Sequence, residues 1–461
     1  MKKFYDVHMH AMDLSHANLT AFAGRLLQDL DLDLDRWEKI GTFRYFLHYI
    51  WRHLLEKISH WFTTKAKAAP KEKEKLPQKL KKIRNLLSFM ESSIKYDFLI
   101  LDFFLKNKEA IISSNNEFKI NGTAYNKIVL CPLIMDFGYK SIYGQNYFYN
   151  IPPQKPVVDQ IKDLFEAIST YYKNELTINK SVSPNKFDVN PCDFNPDNKL
   201  FEIYPFMGIN TDNYELIDIE KMFAKYFYDF RGTDTPEERQ QKLFNKMGQF
   251  KGDLSNEEDC RNIFVGIKLY PPLGFNPWPC NCYQHDKEKD THTECANRQA
   301  KVELLYKMCI EKNIPIITHC GNGGFNAAQN ADDITNPGTH WATVLKNYPG
   351  LKIDFAHFGA GVPEWRKTIV KHILNPGSKV YTDFSYGGLN DEYYRQLEVT
   401  INTSGNAGLL TERVLFGSDF MINLMSIESY NQYLKNFFNT NYLVSSKEKL
   451  CSENAERFLF G

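Results

Sequence analysis

Short apolar runs recur along the chain, and stretches with helical spacing separate them. Strand cores are read at 4–8, 127–133, 201–208, 263–269, 314–319, 351–357, 378–383 and 413–419. Strands alternating with helices are the signature of βα units. Eight such units are the number that closes a (β/α)8 barrel, so the expected fold is α/β, a distorted (β/α)8 (TIM) barrel. The later units are compact and the earlier ones carry insertions. A plain barrel takes about 250 residues; the surplus in this 461-residue chain falls mostly between the first two strands, with less before the third and fourth.

That first insertion, 14–125, reads as helical. Phe43, Phe46, Leu47, Ile50, Trp51, Leu54, Leu55, Ile58, Trp61 and Phe62 follow helical spacing and make one broad apolar face. A lysine-rich stretch from Lys65 to Arg84 follows, broken by Pro70 and Pro77. The expected arrangement is a helical cap on a single barrel spanning 1–461, then a solvated linker. The rival is a membrane-surface or partner-binding helix. His48, His53 and His60 within it are read as surface or core-edge residues.

Composition narrows the class. Lys and Arg number 56, Asp and Glu also 56, so no global field points to nucleic acid. Nine cysteines, an odd count with Cys131 and Cys320 inside apolar runs, suit a reducing compartment better than a disulfide framework. Met1-Lys2-Lys3 runs straight into a strand rather than a signal peptide, and no apolar run reaches the roughly 20 residues of a bilayer span. A cytoplasmic protein is expected, with a homodimer only as a general prior.

The candidate chemistry lies where the runs end. His8 and His10 close the first, His319 the fifth, His357 the sixth and Asp419 the eighth. In a parallel barrel, side chains at the carboxyl ends of different strands converge on one mouth. His8 and His10, two apart on a strand, share a face. Together with His319 and Asp419 they are a ligand set for a divalent ion that also holds water, zinc first with manganese as the alternative, and one ion rather than two. Asp419 is the natural general base. His357 is cast to polarise a carbonyl, or to ligate a second ion. Lys268, ending the fourth run, has three readings: a carboxylated bridge between two metals, a holder of an anionic substrate group, or a structural ion-pair partner.

At these residues the chain resembles the amidohydrolase superfamily, in its amidohydrolase-related (amidohydrolase 2) branch. The matching stretches are Asp6-Val7-His8-Met9-His10, Gly266-Ile267-Lys268-Leu269-Tyr270-Pro271, Thr318-His319-Cys320-Gly321, Asn336-Pro337 with Trp341, and Tyr348-Pro349. Phe355-Ala356-His357-Phe358-Gly359, Val380-Tyr381-Thr382-Asp383-Phe384-Ser385, Phe416-Gly417-Ser418-Asp419 and the closing Asn454-Ala455-Glu456-Arg457-Phe458-Leu459-Phe460-Gly461 complete them. The resemblance implies a distorted barrel with a metal on His8, His10, His319 and Asp419 and a catalytic His357. It implies a small-molecule substrate cleaved by hydrolysis of an amide, ester, lactone or C–C bond, or a metal-dependent nonoxidative decarboxylase. A barrel kept only for binding is the third reading; a full set of ligand types argues against it.

The segment 273–297 lies outside the resemblance. It carries Cys280, Cys282, His285, His292 and Cys295, enough thiolate and imidazole for a tetrahedral zinc but in no familiar finger spacing. The plain alternative is a polar loop with unpaired cysteines, where Phe275 and Trp278 could cover a substrate.

Overall fold

All eight apolar runs form strands, and their hydrogen bonds close into a ring. The computed structural model describes residues 2–16, 86–137, 155–179, 186–244, 255–280, 292–324 and 328–461, apart from positions 88, 109, 257 and 329. The aromatic face from Phe43 to Phe62, the stretch Lys65 to Arg84, and His48, His53 and His60 lie outside the described residues.

In chain order come β1 (Lys2–Met9), α1 (Asp97–Asn107), β2 (Phe118–Ile120) and β3 (Thr123–Pro132). Helix α2 (Val157–Lys173), a hairpin of β4 (Asn174–Asn179) and β5 (Lys186–Pro191), then β6 (Phe201–Ile203) and β7 (Phe206–Gly208) follow. Next are α3 (Leu216–Tyr226), α4 (Pro236–Phe244), β8 (Gly266–Leu269), α5 (His292–Glu311) and β9 (Ile316–Gly321). Then come α6 (Ala331–Thr335), α7 (His340–Asn347), β10 (Ile353–Ala360), α8 (Pro363–Leu374) and β11 (Val380–Asp383). The chain ends with α9 (Asp391–Asn402), α10 (Ala407–Thr411), β12 (Val414–Leu415), α11 (Tyr430–Asn439) and α12 (Asn454–Leu459).

β1 pairs parallel with β3, and β3 with β6. A second parallel ladder runs from β7 through β8, β9, β10 and β11 to β12. Two seams join the ladders. Leu133 bridges Phe206 on one side; on the other Met9 bridges Phe420, and the Val7 N–H donates to Phe416 O at 3.1 Å. The third run is split into β6 and β7 at Pro205, which has no N–H to give. The first half pairs with β3 and the second with β8.

The insertion departs from its helical reading near its end. Residues 118–120 pair antiparallel with 123–125, turning through Asn121 and Gly122 at φ 49° and 84°. Both angles are left-handed, the requirement of a two-residue hairpin turn that Asn-Gly meets best. That dipeptide is a hairpin signal the periodicity argument passed over.

Outside the ring, Phe416 packs its ring 4.8 Å from Phe4, 4.9 Å from Phe437 of α11 and 5.5 Å from Phe384. Burying each such ring contributes about 1.5–3 kcal/mol, so this cluster clamps the first and last strands beneath one helix. The carboxyl-terminal helix α12 docks on the barrel. Asn454 Nδ2 donates to Thr411 O at 2.7 Å and Val414 O at 2.8 Å, and the Phe416 N–H to Leu450 O at 2.9 Å. Among the described residues no helix is long and apolar enough to cross a membrane.

Candidate metal centre and active site

β1 delivers His8 and His10 to the mouth of the ring beside the turn that follows β12. The N–H groups of Ser418 and Asp419 both donate to His8 O, at 3.1 and 2.7 Å, so the Asp-bearing turn is laid against the His-bearing strand. Close approach is possible because position 417 is glycine: a Cβ there would lie 2.8 Å from His8 Cβ and 3.1 Å from Ser385 Cβ. Asp6 strengthens the seam from below, accepting from Ser418 N at 2.8 Å and Tyr430 OH at 2.9 Å. Burial raises its carboxyl to about 7 despite those donors.

The two imidazoles are oriented through their Nδ1 atoms. His8 Nδ1 lies 2.8 Å from Asp383 Oδ2, and His10 Nδ1 lies 3.3 Å from Leu133 O. Each of those partners can only accept, so each Nδ1 carries the proton and each Nε2 keeps a lone pair. Those two Nε2 atoms then face Asp419 Oδ1, at 3.6 Å from His8 and 3.2 Å from His10. His8 Nε2 is fully buried with no hydrogen-bond partner among the described residues. Burial, first of all, depresses the His8 pKa to about 3, with Asp383 opposing. Burial would raise Asp419, but contact with His10 and the charges of the His357 and His8 rings hold it near 2. Three acceptor atoms, all within 4.8 Å of one another, converge with no proton between them. A cation is what such a donor set fits.

His319 and His357 sit on the neighbouring strands. His319 Nδ1 lies 3.1 Å from His357 Nε2, and His319 Nε2 lies 3.2 Å from Gly321 O. His357 Nδ1 lies 2.8 Å from Ser385 Oγ, which in turn touches Asp383 Oδ1. This chain has four contacts, yet neutral imidazoles and one hydroxyl bring only three hydrogens. One further proton, or a cation at one of the nitrogens, completes it. Burial first, then the His357 and Lys268 charges, pushes His319 well below its ordinary pKa.

His357 itself is held at φ 66° and Asp419 at φ 57°, left-handed backbone that non-glycine residues seldom adopt. Strain of that kind gathers where side chains are aimed for function. Asp383 supports both aims: its Oδ1 accepts from the backbone N–H groups of His357 at 3.0 Å and Ser385 at 2.9 Å, while its Oδ2 holds His8. Burial opposes its charge, but the His8 and His357 rings and the Ser385 hydroxyl keep it well below the usual carboxylate range. Asp383 and Ser385 were absent from the sequence-derived site. The signal was present: Asp383 ends the seventh strand, the position rule already applied to Asp419.

Lys268 ends β8 inside the same ring, 2% exposed. Its Nζ has no acceptor among the described residues. Burial lowers it to about 8, with Asp383, Asp419 and Asp354 raising it in that order. Thus a buried ammonium lies within electrostatic reach of the carboxylates that orient the histidines. On the rim after β9 and β10, Asn322, Asp332, Asp333, Asn336, Val362 and Trp365 line an open cleft of about 420 Å³.

Comparison with known proteins bears on this site. The amidohydrolase family model matches residues 255–461, the stretch that supplies Lys268, His319, His357, Asp383 and Asp419. The match makes residues 255–461 similar to that family, whose members are enzymes of the hydrolase type. The barrel is completed by β1, whose two histidines come from outside the matched stretch. Among solved structures, a protein described as a metal-dependent hydrolase from Lactobacillus casei is 13% identical, with a TM-score of 0.35, covering 100% of this chain and 95% of its own. Uronate isomerase from Thermotoga maritima is 12% identical, with a TM-score of 0.36 and coverages of 99% and 93%. An uncharacterised TIM-barrel protein from Bordetella bronchiseptica is 18% identical, with a TM-score of 0.30 and coverages of 56% and 78%. No curated protein matches the chain.

Two clusters lie apart from the barrel centre. Asp13, His16 and Asp163 approach one another, but Asp163 Oδ2 already takes His16 Nε2 at 2.8 Å and the Lys155 ammonium, so a cation is in place. In the segment 273–297, Cys282 and His285 lie outside the described residues, as does the His292 side chain. Cys280 and Cys295 are described and adjacent. Phe275 is fully buried 6.3 Å from the Trp341 ring, a core position rather than a cover.

Proposed function

We propose that this protein is an amidohydrolase-type hydrolase of a small molecule that holds one divalent cation on His8, His10 and Asp419, with His319 as the further donor. The observation that supports it is the convergence of the lone-pair Nε2 atoms of His8 and His10 on Asp419 Oδ1. Imidazole and carboxylate together suit zinc first, and manganese as the alternative. Such an ion acidifies water and polarises a carbonyl oxygen. The chain's own residues do the rest. Asp419, ionised across the working range, takes the proton from the attacking water and returns it to the leaving group. His357, linked through Ser385 to Asp383, holds or moves a proton at Nε2, beside His319 Nδ1. Asp383 fixes the His8 tautomer and so the direction of its lone pair.

The Lys268 ammonium favours a second reading on the same residues. A substrate carboxylate would give its Nζ the acceptor that the described residues do not, and loss of CO₂ would leave a carbanion that takes up one solvent proton, relayed through His357 or Asp419. Release of CO₂ without consumption of water identifies that reaction. The first test is metal content per chain, by plasma mass spectrometry, of wild type, His8→Ala and His319→Ala purified without added metal. Folded variants should each lose about one equivalent. Unchanged metal in His8→Ala would remove the ligand assignment.

A further inference from the structure

Below its mouth, the barrel encloses a carboxyl group to which the proposed chemistry gives no task. Phe355 of β10 faces outward, its ring 5.7 Å from Trp341 of α7 and 6.3 Å from His372 of α8. Alternation along the strand turns the preceding residue, Asp354, into the barrel. There Asp354 is 0% exposed, and neither of its carboxyl oxygens meets a hydrogen-bond donor among the described residues. The Lys268 ammonium on β8 acts on it by charge, yet its Nζ makes no hydrogen bond there. The Cys320 thiol on β9 lies within the same electrostatic reach. What Asp354 does approach, within hydrogen-bonding range, is another carboxyl group, that of Asp383 on β11.

We infer that Asp354 is a neutral carboxylic acid that donates its proton to Asp383, and is thereby a positioning residue for the carboxylate that orients His8. Two carboxyl groups can face each other in a hydrogen bond only if one of them carries a proton. Their other partners decide which. Asp383 already accepts from four donors: Oδ1 from the His357 and Ser385 N–H groups and the Ser385 hydroxyl, Oδ2 from His8 Nδ1. So many donors keep Asp383 ionised, whereas a carboxylate with none is among the costliest groups a protein can bury. Burial first, then the Asp383 charge, accordingly pushes Asp354 well above the usual carboxylate range, with Lys268 opposing. Because Oδ1 already takes three donors, the acid's proton belongs on Oδ2, the oxygen that holds His8. There it braces the Asp383 carboxylate from below and keeps it from drawing the proton off His8 Nδ1. Its effect on metal binding rests on the reading of His8 as a ligand; its protonation does not.

Infrared difference spectroscopy tests the protonation without any metal. Wild type minus Asp354→Asn should show one carboxylic-acid C=O band that moves to lower frequency in deuterium oxide, while other buried acids such as Asp97 cancel. A carboxylate band in its place would overturn the proposal. Should that variant not fold, Asp97→Asn at about pH 9, roughly two units above the Asp6 carboxyl, should still show a single acid band. No band there would overturn it equally. Metal affinity tests the positioning. Asp354→Ala, which takes the donor from Asp383, should bind about tenfold more weakly. Asp354→Asn, whose amide N–H can still donate, should stay within about twofold of wild type. An asparagine variant as weak as the alanine one would rule out the donor role. The infrared band does not depend on the ligand assignment, so the failure of either is seen apart from the other.

Discussion

The His8 ring is fixed from one side by Asp383 and presents its other nitrogen to Asp419, so each carboxylate has its own task. Removing the one that orients should weaken metal binding without abolishing it. Asp383→Asn is expected to lower metal affinity about 10–100-fold, read by competition with a chromogenic chelator. Removing the one that moves protons, itself a proposed metal donor, should leave the histidines to keep much of the binding and should slow the reaction. Asp419→Asn is expected to reduce kcat by about 10²–10⁴, measured on whichever substrate a hydrolase and decarboxylase screen returns, and retained turnover would take Asp419 out of the proton path. Which of these residues could be read beforehand followed from one rule. His8, His10, His319, His357 and Asp419 stand out in the sequence because they end apolar runs, and the fold places them on neighbouring strands. Asp383 obeys the same rule, but its part is to hold a histidine still rather than to meet a metal, and a strand-end position does not tell those two tasks apart. Ser385 had no such signal, because a serine after a strand usually serves a turn.

At the level of elements, the period of the apolar runs carried most of the fold. Burial on both faces makes a barrel strand apolar throughout, so each run stood out even where its hydrogen-bonded part proved short, as in β12. What periodicity could not show was a break inside a run, as at Pro205, or a change of element within a long insertion. The hairpin at Asn121–Gly122 is written in turn chemistry and not in period. The approach of the turn after β12 to β1 was equally hidden, because it depends on the missing Cβ at Gly417. Gly417→Ala should therefore force the His8 and Ser385 side chains to give way. A destabilisation of about 1–3 kcal/mol is expected, seen as a lowered urea midpoint with an unchanged slope.

For the whole molecule, the acid limb of stability follows from the buried site. The His8 pKa is about 3 in the folded chain against 6.5 for an ordinary histidine, and His319 is depressed as well. Between those values the unfolded chain binds more protons than the folded one, so stability is complete above pH 6.5 and falls as pH drops toward 3. Asp383, itself depressed, extends the loss at still lower pH. Metal-free protein should show urea midpoints that are level above about pH 7 and fall from about pH 6.5 toward about pH 4; a flat profile would mean that His8 is not held neutral. Alanine at position 8 should flatten it.

The seam between β1 and the turn after β12 has one more consequence, in time rather than space. Two of the proposed metal donors, His8 and His10, lie on the first strand of the barrel and another, Asp419, follows the eighth. A nascent chain thus carries half a centre while the strands between them are made. The ion can be captured only after the eighth strand has returned to the first, so metal loading reports that the barrel has shut.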